Sequence, residues 1–163
     1  MEEMKIEIRI CSLHYDELNE EDRRLIEQAK EATQRSYAPY SRFSVGAAAL
    51  LANGEIVTGS NQENAASPSG LCAERTTLFY ANSRYPDQAV KTLAIAARNA
   101  SGFTGKPISP CGACRQVLLE TERRHGSPIR ILLYGTTEIY LTNGIDNLLP
   151  LSFSGEFLSE QPL

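Results

Sequence analysis

The hydrophobic positions at the start of the chain alternate with charged ones. In the stretch KIEIRIC, residues 5–11, isoleucine occupies every second position and a charged residue follows each of the first two. A period of two is typical of a strand with one buried and one exposed face. We therefore predict that residues 5–11 form a strand, added at the edge of a sheet.

A helical pattern follows this alternation. Asn19 precedes a run of acidic residues, as a helix N-cap does, and Pro39 predicts that the helix stops before that position. The apolar residues between them recur at helical spacing: Leu25, Ile26, Ala29 and Ala32. Farther on, two strand-like runs within residues 43–62 flank Asn53-Gly54, a dipeptide that favours a tight turn, so they predict a hairpin.

The second half of the chain alternates helical and strand-like segments. A helical pattern from Ala73 is broken at Pro86, and the apolar run KTLAIAARN, residues 91–99, predicts a buried strand. A helix from SPCGACRQVL, residues 109–118, to about Arg124 then leads to the strand PIRILLY, which indicates a right-handed parallel crossover. The short connection GTT predicts that the last strand, EIYLT, is antiparallel. We expect an α/β fold whose mixed sheet is covered by helices.

Composition limits the size and the partners of this fold. The 163 residues, 42% of them apolar, suffice for one well-filled core. We expect an N-terminal extension over residues 1–18 and one domain over residues 19–163. A net charge of −4 argues against a polynucleotide or an anionic membrane and favours a small-molecule partner. No apolar run approaches the roughly 20 residues of a membrane span, and the acidic start is unlike a secretion signal, so we expect a cytoplasmic protein.

Cys111 and Cys114 follow Pro110 within the stretch SPCGACRQVL. Pro110 fits the first turn of a helix, which would place the two sulfurs one turn apart on the same face. The positive end of the helix favours thiolates, which bind cations. By itself the pair fits a dithiol redox switch, a structural zinc site or part of a catalytic zinc site.

Cys72 repeats this chemistry at the start of the other predicted helix, in LCAERTTLFY. Three thiolates around one Zn²⁺ would leave a net negative charge, which Arg75 is placed to balance. Glu74 could exchange protons with a zinc-activated water, or it could simply stabilise the positive helix end. Cys11 ends the predicted N-terminal strand without an acidic neighbour, and we expect it to be a buried structural thiol.

Longer motifs decide between these hypotheses. CAE at 72–74 and PCGAC at 110–114 match the zinc deaminase signature, in which a ligand two positions before Glu is followed by P-C-x-x-C. The chain also contains YSRFSVGAAALL, NQENA, LCAERTTLF, SPCGACRQVL and LLPLSF. These stretches are similar to motifs of cytidine deaminases and occur in the same order, so the chain resembles that family from about Ala29 to Phe157.

The resemblance implies a fold and a reaction. The fold would have three layers, with helices on both faces of a mixed five-stranded core sheet whose last strand is antiparallel. The domain would be a zinc-dependent deaminase that hydrolyses cytidine and 2′-deoxycytidine to uridine and 2′-deoxyuridine, releasing ammonia, as in pyrimidine salvage. Cys72, Cys111 and Cys114 would bind one Zn²⁺ per chain, and Glu74 would shuttle protons while zinc-bound hydroxide attacks C4 of the base. Arg75 would neutralise thiolate charge.

The resemblance also implies substrate contacts and an assembly. Phe43 would lie against the pyrimidine ring, Asn61 and Glu63 would bind ribose hydroxyls, and Ala73 would contact the substrate. Small cytidine deaminases are homotetramers with shared sites, and Phe153 would pack at the site of a neighbouring subunit. The chain departs from the family at Ser67, where many members have a tyrosine.

Three other interpretations are weighed against this resemblance. Polynucleotide deaminases have a parallel last strand reached through a helix, which the connection GTT is too short to hold. A blasticidin-type deaminase of modified cytosine nucleosides is similar around SPC and CRQVLL but has no counterpart of NQENA. A zinc-stabilised structural or binding module would use Cys11 as its fourth ligand.

Overall fold

The computed structural model describes residues 1–158. Seven strands and three α-helices lie in this part of the chain. The strands are β1 Cys11–Leu13, β2 Ser44–Leu51, β3 Ile56–Ser60, β4 Val90–Asn99, β5 Gly102–Phe103, β6 Arg130–Tyr134 and β7 Ile139–Asn143, and the helices are α1 Glu20–Ala32, α2 Ala73–Arg84 and α3 Gly112–His125. Within the same residues, we find no helix with both the length and the apolar surface needed to cross a bilayer.

The strands form one mixed sheet in the order β1-β7-β6-β4-β2-β3, and β5 pairs with the end of β4. Strands β4 and β6 are parallel, as the crossover through α3 predicts, and β7 pairs antiparallel with β6. The mixed sheet and its antiparallel last strand are therefore confirmed. The five predicted core strands are β2, β3, β4, β6 and β7, and the short strands β1 and β5 bring the described total to seven.

Alternating residues of β2 belong to two separate apolar clusters, one on each face of the sheet. Ala48 and Leu50 pack with α1, whereas Ala47, Ala49 and Leu51 pack with α2 and α3. All five are at most 5% exposed. This central strand reads as a continuous apolar run because helices cover both of its faces. The predicted three-layer arrangement is thus confirmed.

Helix α1 is fixed by its cap and by one ion pair. The Asn19 side chain accepts a hydrogen bond of 2.8 Å from the Asp22 amide, which confirms the predicted N-cap. The Asp22 carboxylate, 3% exposed, also accepts two hydrogen bonds of 2.9 and 2.8 Å from the Arg130 guanidinium on β6. Such bidentate pairs fix geometry, so they hold the start of α1 against the sheet.

The hairpin between β2 and β3 forms where the sequence predicts it. The two strands pair antiparallel, and Gly54 in the connecting turn has φ of 86°. Positive φ is the reason for glycine at this position, because other residues rarely adopt it without strain.

The predicted N-terminal strand is wrong in its position. Regular pairing begins at Cys11, where β1 joins β7, and residues 1–10 are exposed and have no strand assignment. The alternating isoleucines find no cover because β1 is the outermost strand of the sheet. Cys11 is also exposed, so the expectation of a buried thiol is wrong.

Helix α2 approaches β3 at Gly59. A Cβ atom at this position would lie 2.6 Å from Thr77 Oγ1 and 2.9 Å from Thr77 N, both on α2. Cys72 is the N-cap of α2. The absence of a Cβ atom at Gly59 therefore determines how closely Cys72 approaches the sheet.

We predict that Gly59→Ala lowers the free energy of unfolding by about 1–3 kcal/mol, the usual cost of overpacking. Urea denaturation followed by circular dichroism measures this change. Gly105→Ala is the control, because its added Cβ would meet nothing nearer than Thr137 at 4.0 Å. Equal destabilisation by both substitutions would contradict the proposed close contact.

Candidate active site

The three cysteines of the two motifs converge where α2 and α3 begin. Cys72 and Cys111 are the N-cap residues of these helices, and Cys114 lies in the first turn of α3. The Sγ atom of Cys111 lies 3.8 Å from that of Cys72 and 3.4 Å from that of Cys114. The prediction that Pro110 lies in the first turn of this helix is wrong. Pro110 precedes the N-cap Cys111 and so lies outside the helix.

This cluster fits a zinc ion. All three Sγ atoms lie within 4.8 Å of one another, and sulfurs bound tetrahedrally to zinc at about 2.3 Å lie about 3.8 Å apart. Three thiol ligands leave one coordination position for water, the arrangement of a catalytic zinc site. Cys11 lies on β1 at the sheet edge and is not a member of the cluster, so the described structure does not support the four-cysteine structural module.

The cysteines of the cluster are coupled electrostatically. The hydrogen bond with the Cys114 thiol, helped by Arg75, lowers the pKa of Cys72 to about 5. The same contact with Cys72, together with burial, raises the pKa of Cys114. A bound cation would favour the thiolate form of these cysteines, because metal ligands must be deprotonated.

Arg75 supplies positive charge beside these sulfurs. Burial alone would lower the pKa of Arg75, but its contacts with Cys72 and Cys114 outweigh burial and raise it. One of its terminal nitrogens reaches the Gly70 carbonyl at 3.4 Å, whereas its buried Nε atom has no hydrogen-bond partner within residues 1–158. The guanidinium is thus positioned to offset thiolate charge.

Glu74 is a buried carboxyl in the first turn of α2. It is 4% exposed, and burial raises its pKa, with a further increase from the negative charge of Cys72. An acid that only stabilises the positive end of a helix can remain exposed to water. Stabilisation of the helix end therefore does not account for the burial of Glu74. A desolvated carboxyl with a raised pKa is suited to gaining and losing a proton near neutral pH.

A cleft opens beside Cys72. Its volume is about 440 Å³, within the range of small-molecule sites. Reciprocal backbone hydrogen bonds of 2.9 Å between Gln62 and Leu71 bring the segment 61–65 alongside the approach to Cys72. The lining includes Tyr40, Asn61, Glu63, Ser67, Cys72 and Arg75.

The Asn61 amide has a fixed orientation in this cleft. Its oxygen accepts hydrogen bonds from the Val45 amide at 2.8 Å and from the Ser36 hydroxyl at 2.5 Å, and its nitrogen donates to the Phe43 carbonyl at 2.9 Å. The backbone amide can only donate and the carbonyl can only accept, so the opposite orientation would lose both bonds. One amide hydrogen remains available for a ligand that presents an acceptor.

Glu63 is held by the loop that precedes β2. Its carboxylate accepts hydrogen bonds from the amides of Tyr40 at 2.9 Å and Ser41 at 3.3 Å. A hydrogen bond from the Ser41 hydroxyl, together with these backbone bonds, lowers the pKa of Glu63. The second carboxylate oxygen is an acceptor suited to a ligand hydroxyl.

The remaining predicted contact residues lie outside the lining of the cleft. Phe43 is half-buried immediately before β2, and Ala73 is fully buried at the start of α2. Phe153 is 59% exposed and stacks on Phe157 with the ring centres 5.9 Å apart. Its carbonyl accepts a hydrogen bond from Gln116 on α3. Within one chain, Phe153 is therefore a surface residue.

Two residues that support the site were not singled out from the sequence. Ser36 orients Asn61, as described above, and Arg115 connects the loop before α3 with the C-terminal region. Arg115 donates hydrogen bonds to the Pro110 carbonyl, the Ser109 hydroxyl and the Leu148 carbonyl at 2.9, 2.9 and 2.6 Å. Arginine directly after the last cysteine was a visible signal, but its partner 33 positions away was not.

Comparison with known families agrees with this geometry. Residues 19–125 match the family model described as the cytidine and deoxycytidylate deaminase zinc-binding region. The matched range contains all three clustered cysteines and Glu74. The N-terminal residues before Asn19 lie outside it.

Individual relatives match over most of the chain. The chain is 37% identical over 144 residues to a cytidine deaminase of Halalkalibacterium halodurans, covering 83% of this chain and 96% of that protein. It is 40% identical over 144 residues to a cytidine deaminase of Sporosarcina psychrophila, covering 83% and 93%. A crystal structure of cytidine deaminase from Burkholderia pseudomallei aligns with a TM-score of 0.69 at 35% identity, covering 83% of this chain and 100% of that one. The chain therefore belongs to the cytidine and deoxycytidylate deaminase family.

Proposed function

We propose that the protein is a zinc-dependent enzyme that deaminates cytidine and 2′-deoxycytidine, yielding uridine and 2′-deoxyuridine with release of ammonia. One observation carries this proposal: the buried carboxyl of Glu74 lies two positions from Cys72, the cysteine of the zinc-compatible cluster that lines a cleft of nucleoside size. The names of the relatives support the choice of base.

Zinc bound to the three cysteines would supply Lewis-acid chemistry, lowering the pKa of a water so that it becomes a nucleophile near neutral pH. Glu74 would accept a proton from the attacking water while the water oxygen forms a bond to C4 of the base, and would deliver that proton to N3. The same carboxyl would then carry the remaining proton of the C4 hydroxyl to N4. Cleavage of the C4–N4 bond would release ammonia and leave the C4 carbonyl of uridine.

Residues of the cleft hold the sugar, whereas Phe43 and Ala73, which lie outside its lining within one chain, orient the base. Glu63 accepts a hydrogen bond from a ribose hydroxyl, and the remaining Asn61 amide hydrogen donates to a ribose oxygen. Phe43, fixed through its carbonyl by Asn61, lies against the pyrimidine ring, and Ala73 contacts the substrate next to Cys72. These assignments favour a ribose-bearing substrate over a modified cytosine nucleoside of the blasticidin type.

We further propose that the protein is a cytoplasmic homotetramer with shared active sites. The exposed ring of Phe153 supports such sharing, because covering a large apolar side chain with a second subunit would stabilise the assembly. In the assembly it would pack at the site of a neighbouring subunit.

The first test concerns Glu74. We predict that Glu74→Gln remains folded and zinc-loaded but loses cytidine turnover by about 10²–10⁴-fold, because an amide cannot exchange the proton. Initial rates from ultraviolet absorbance, with zinc content measured on the same sample, provide the result. Glu120→Gln, an exposed position on α3, serves as the matched control. Full activity of the Glu74 variant would overturn the assigned role.

The second test concerns the metal ligands. We predict that Cys72→Ser and Cys114→Ser purify with much less than one zinc per chain, because each removes one of three protein ligands. Cys11→Ser should retain the metal, since Cys11 lies at the sheet edge. Zinc is quantified by elemental analysis. Loss of zinc from the Cys11 variant would instead support the four-cysteine module.

The third test concerns ribose recognition by Glu63. We predict that Glu63→Gln raises the KM for cytidine on the order of tenfold, because a charged acceptor is replaced by a neutral one. Turnover of 1-methylcytosine, which has no ribose, should change much less. Equal losses for the two substrates would show that Glu63 acts on the structure of the site rather than on the sugar.

A further inference from the structure

The N-terminal arm, defined as residues 4–10, has no role in the proposed chemistry. It lies before the family match, which begins at residue 19. Its three isoleucines are 46–50% exposed. Along residues 1–8 of the described chain, no backbone group is hydrogen-bonded to another backbone group. An alternating segment without backbone partners is a template for another strand.

Contacts at Arg9 show which side of the arm is open. Its amide donates to the Asn147 side chain at 2.9 Å, and its carbonyl accepts from the Thr142 hydroxyl at 3.0 Å. Both backbone groups of Arg9 therefore face the protein's own sheet. In an extended chain the backbone groups of successive residues point to opposite sides, so those of Ile8 and Ile10 face the open edge.

The open edge has only part of the usual protection against pairing: β1 is short and Lys5, Glu7 and Arg9 are charged. Strand β1 is the outermost strand of the sheet in the described chain, and the arm leads directly into it. Natural edge strands are blocked by short length, by charged side chains such as lysine, by proline, by bulges or by charges pointing inward. The stretch MKIEIRICS contains no proline, and its charged residues alternate with the isoleucines rather than replacing them.

We propose that the N-terminal arm pairs antiparallel with the same arm of a second copy of this chain, with Ile8 opposite Ile8. In this register Ile6 lies opposite Ile10, so isoleucine meets isoleucine along one face. On the other face Glu7 lies opposite Arg9, and symmetry repeats this opposite-charge pair. The contact is self-complementary, as a two-fold symmetric interface requires.

Neighbouring registers fit less well. A centre at Glu7 places two glutamates directly opposite and sets Lys5 against Arg9, and like charges in cross-strand positions are destabilising. A centre at Ile6 also pairs opposite charges, Glu7 with Lys5 and Arg9 with Glu3, but it sets Ile10 against Glu2 and Ile8 against Met4. Among these registers, only the centre at Ile8 pairs every isoleucine of the arm with another isoleucine while it also pairs opposite charges.

Charge reversal tests the association. Glu7→Arg and Arg9→Glu should each weaken self-association of the full-length, zinc-loaded protein, because like charges then face each other across the pair. A mixture of the two variants should associate more strongly than either one, because every cross-strand pair then has opposite charges. Sedimentation velocity across a concentration series, with one variant fluorescently labelled, measures this. Equal association of all samples would overturn the proposal.

Cross-linking tests the register. In a Cys11→Ser background, a short bismaleimide should join two chains of Ile8→Cys. Ile6→Cys should not link to itself, because its two copies would lie roughly 14 Å apart at the rise of a strand, but it should link when mixed with Ile10→Cys. Peptide mass spectrometry locates each link. Self-linking of Ile6→Cys, or the absence of a link at Ile8, would contradict the proposed pairing.

Discussion

The site depends on one constraint: the first residues of two helices must meet so that three thiols lie within reach of a single ion. Neither helix alone supplies the set, because Cys72 begins α2 and the other two cysteines begin α3. The sheet brings the two cysteine-bearing helix ends together, because α2 and α3 pack on the same face. Gly59 permits the close approach of α2, and Arg115 ties down the loop that precedes α3. A buried carboxyl then lies next to the sulfurs as a consequence of the same geometry.

Much of this fold follows from local sequence signals. The N-cap at Asn19, the Asn53-Gly54 turn and the apolar run of β4 each specify an element through nearby residues. The position of the first strand does not follow from local signals. The alternation of residues 5–11 indicates that the segment can form a strand, but not which of its residues find a partner. Regular pairing covers only Cys11–Leu13, although β7 continues to Asn143. At Arg9 the side chains of Thr142 and Asn147 take the place of backbone partners. The exposure of Cys11 has the same cause, since no element covers the outermost strand.

The candidate site was predictable to the extent that its residues form short motifs. Spacing between the cysteines and Glu74 identified the zinc-compatible cluster, and the structure brings the sulfurs together. The support around it was not predictable, because it joins distant segments through single hydrogen bonds. Ser36 meets Asn61 across 25 positions, and Arg115 reaches Leu148 across 33. The Asn61 amide therefore joins three segments by hydrogen bonds as well as lining the cleft. The motif NQENA did not indicate this structural role.

The most direct measurement of the central claim is a reaction balance on the purified, zinc-analysed protein. Cytidine is added, its loss is followed by ultraviolet absorbance, and ammonia is assayed in the same samples. The account predicts one ammonia for each cytidine consumed, formation of uridine, and one zinc for each chain. A protein that carries one zinc per chain yet leaves cytidine and 2′-deoxycytidine unchanged would contradict it.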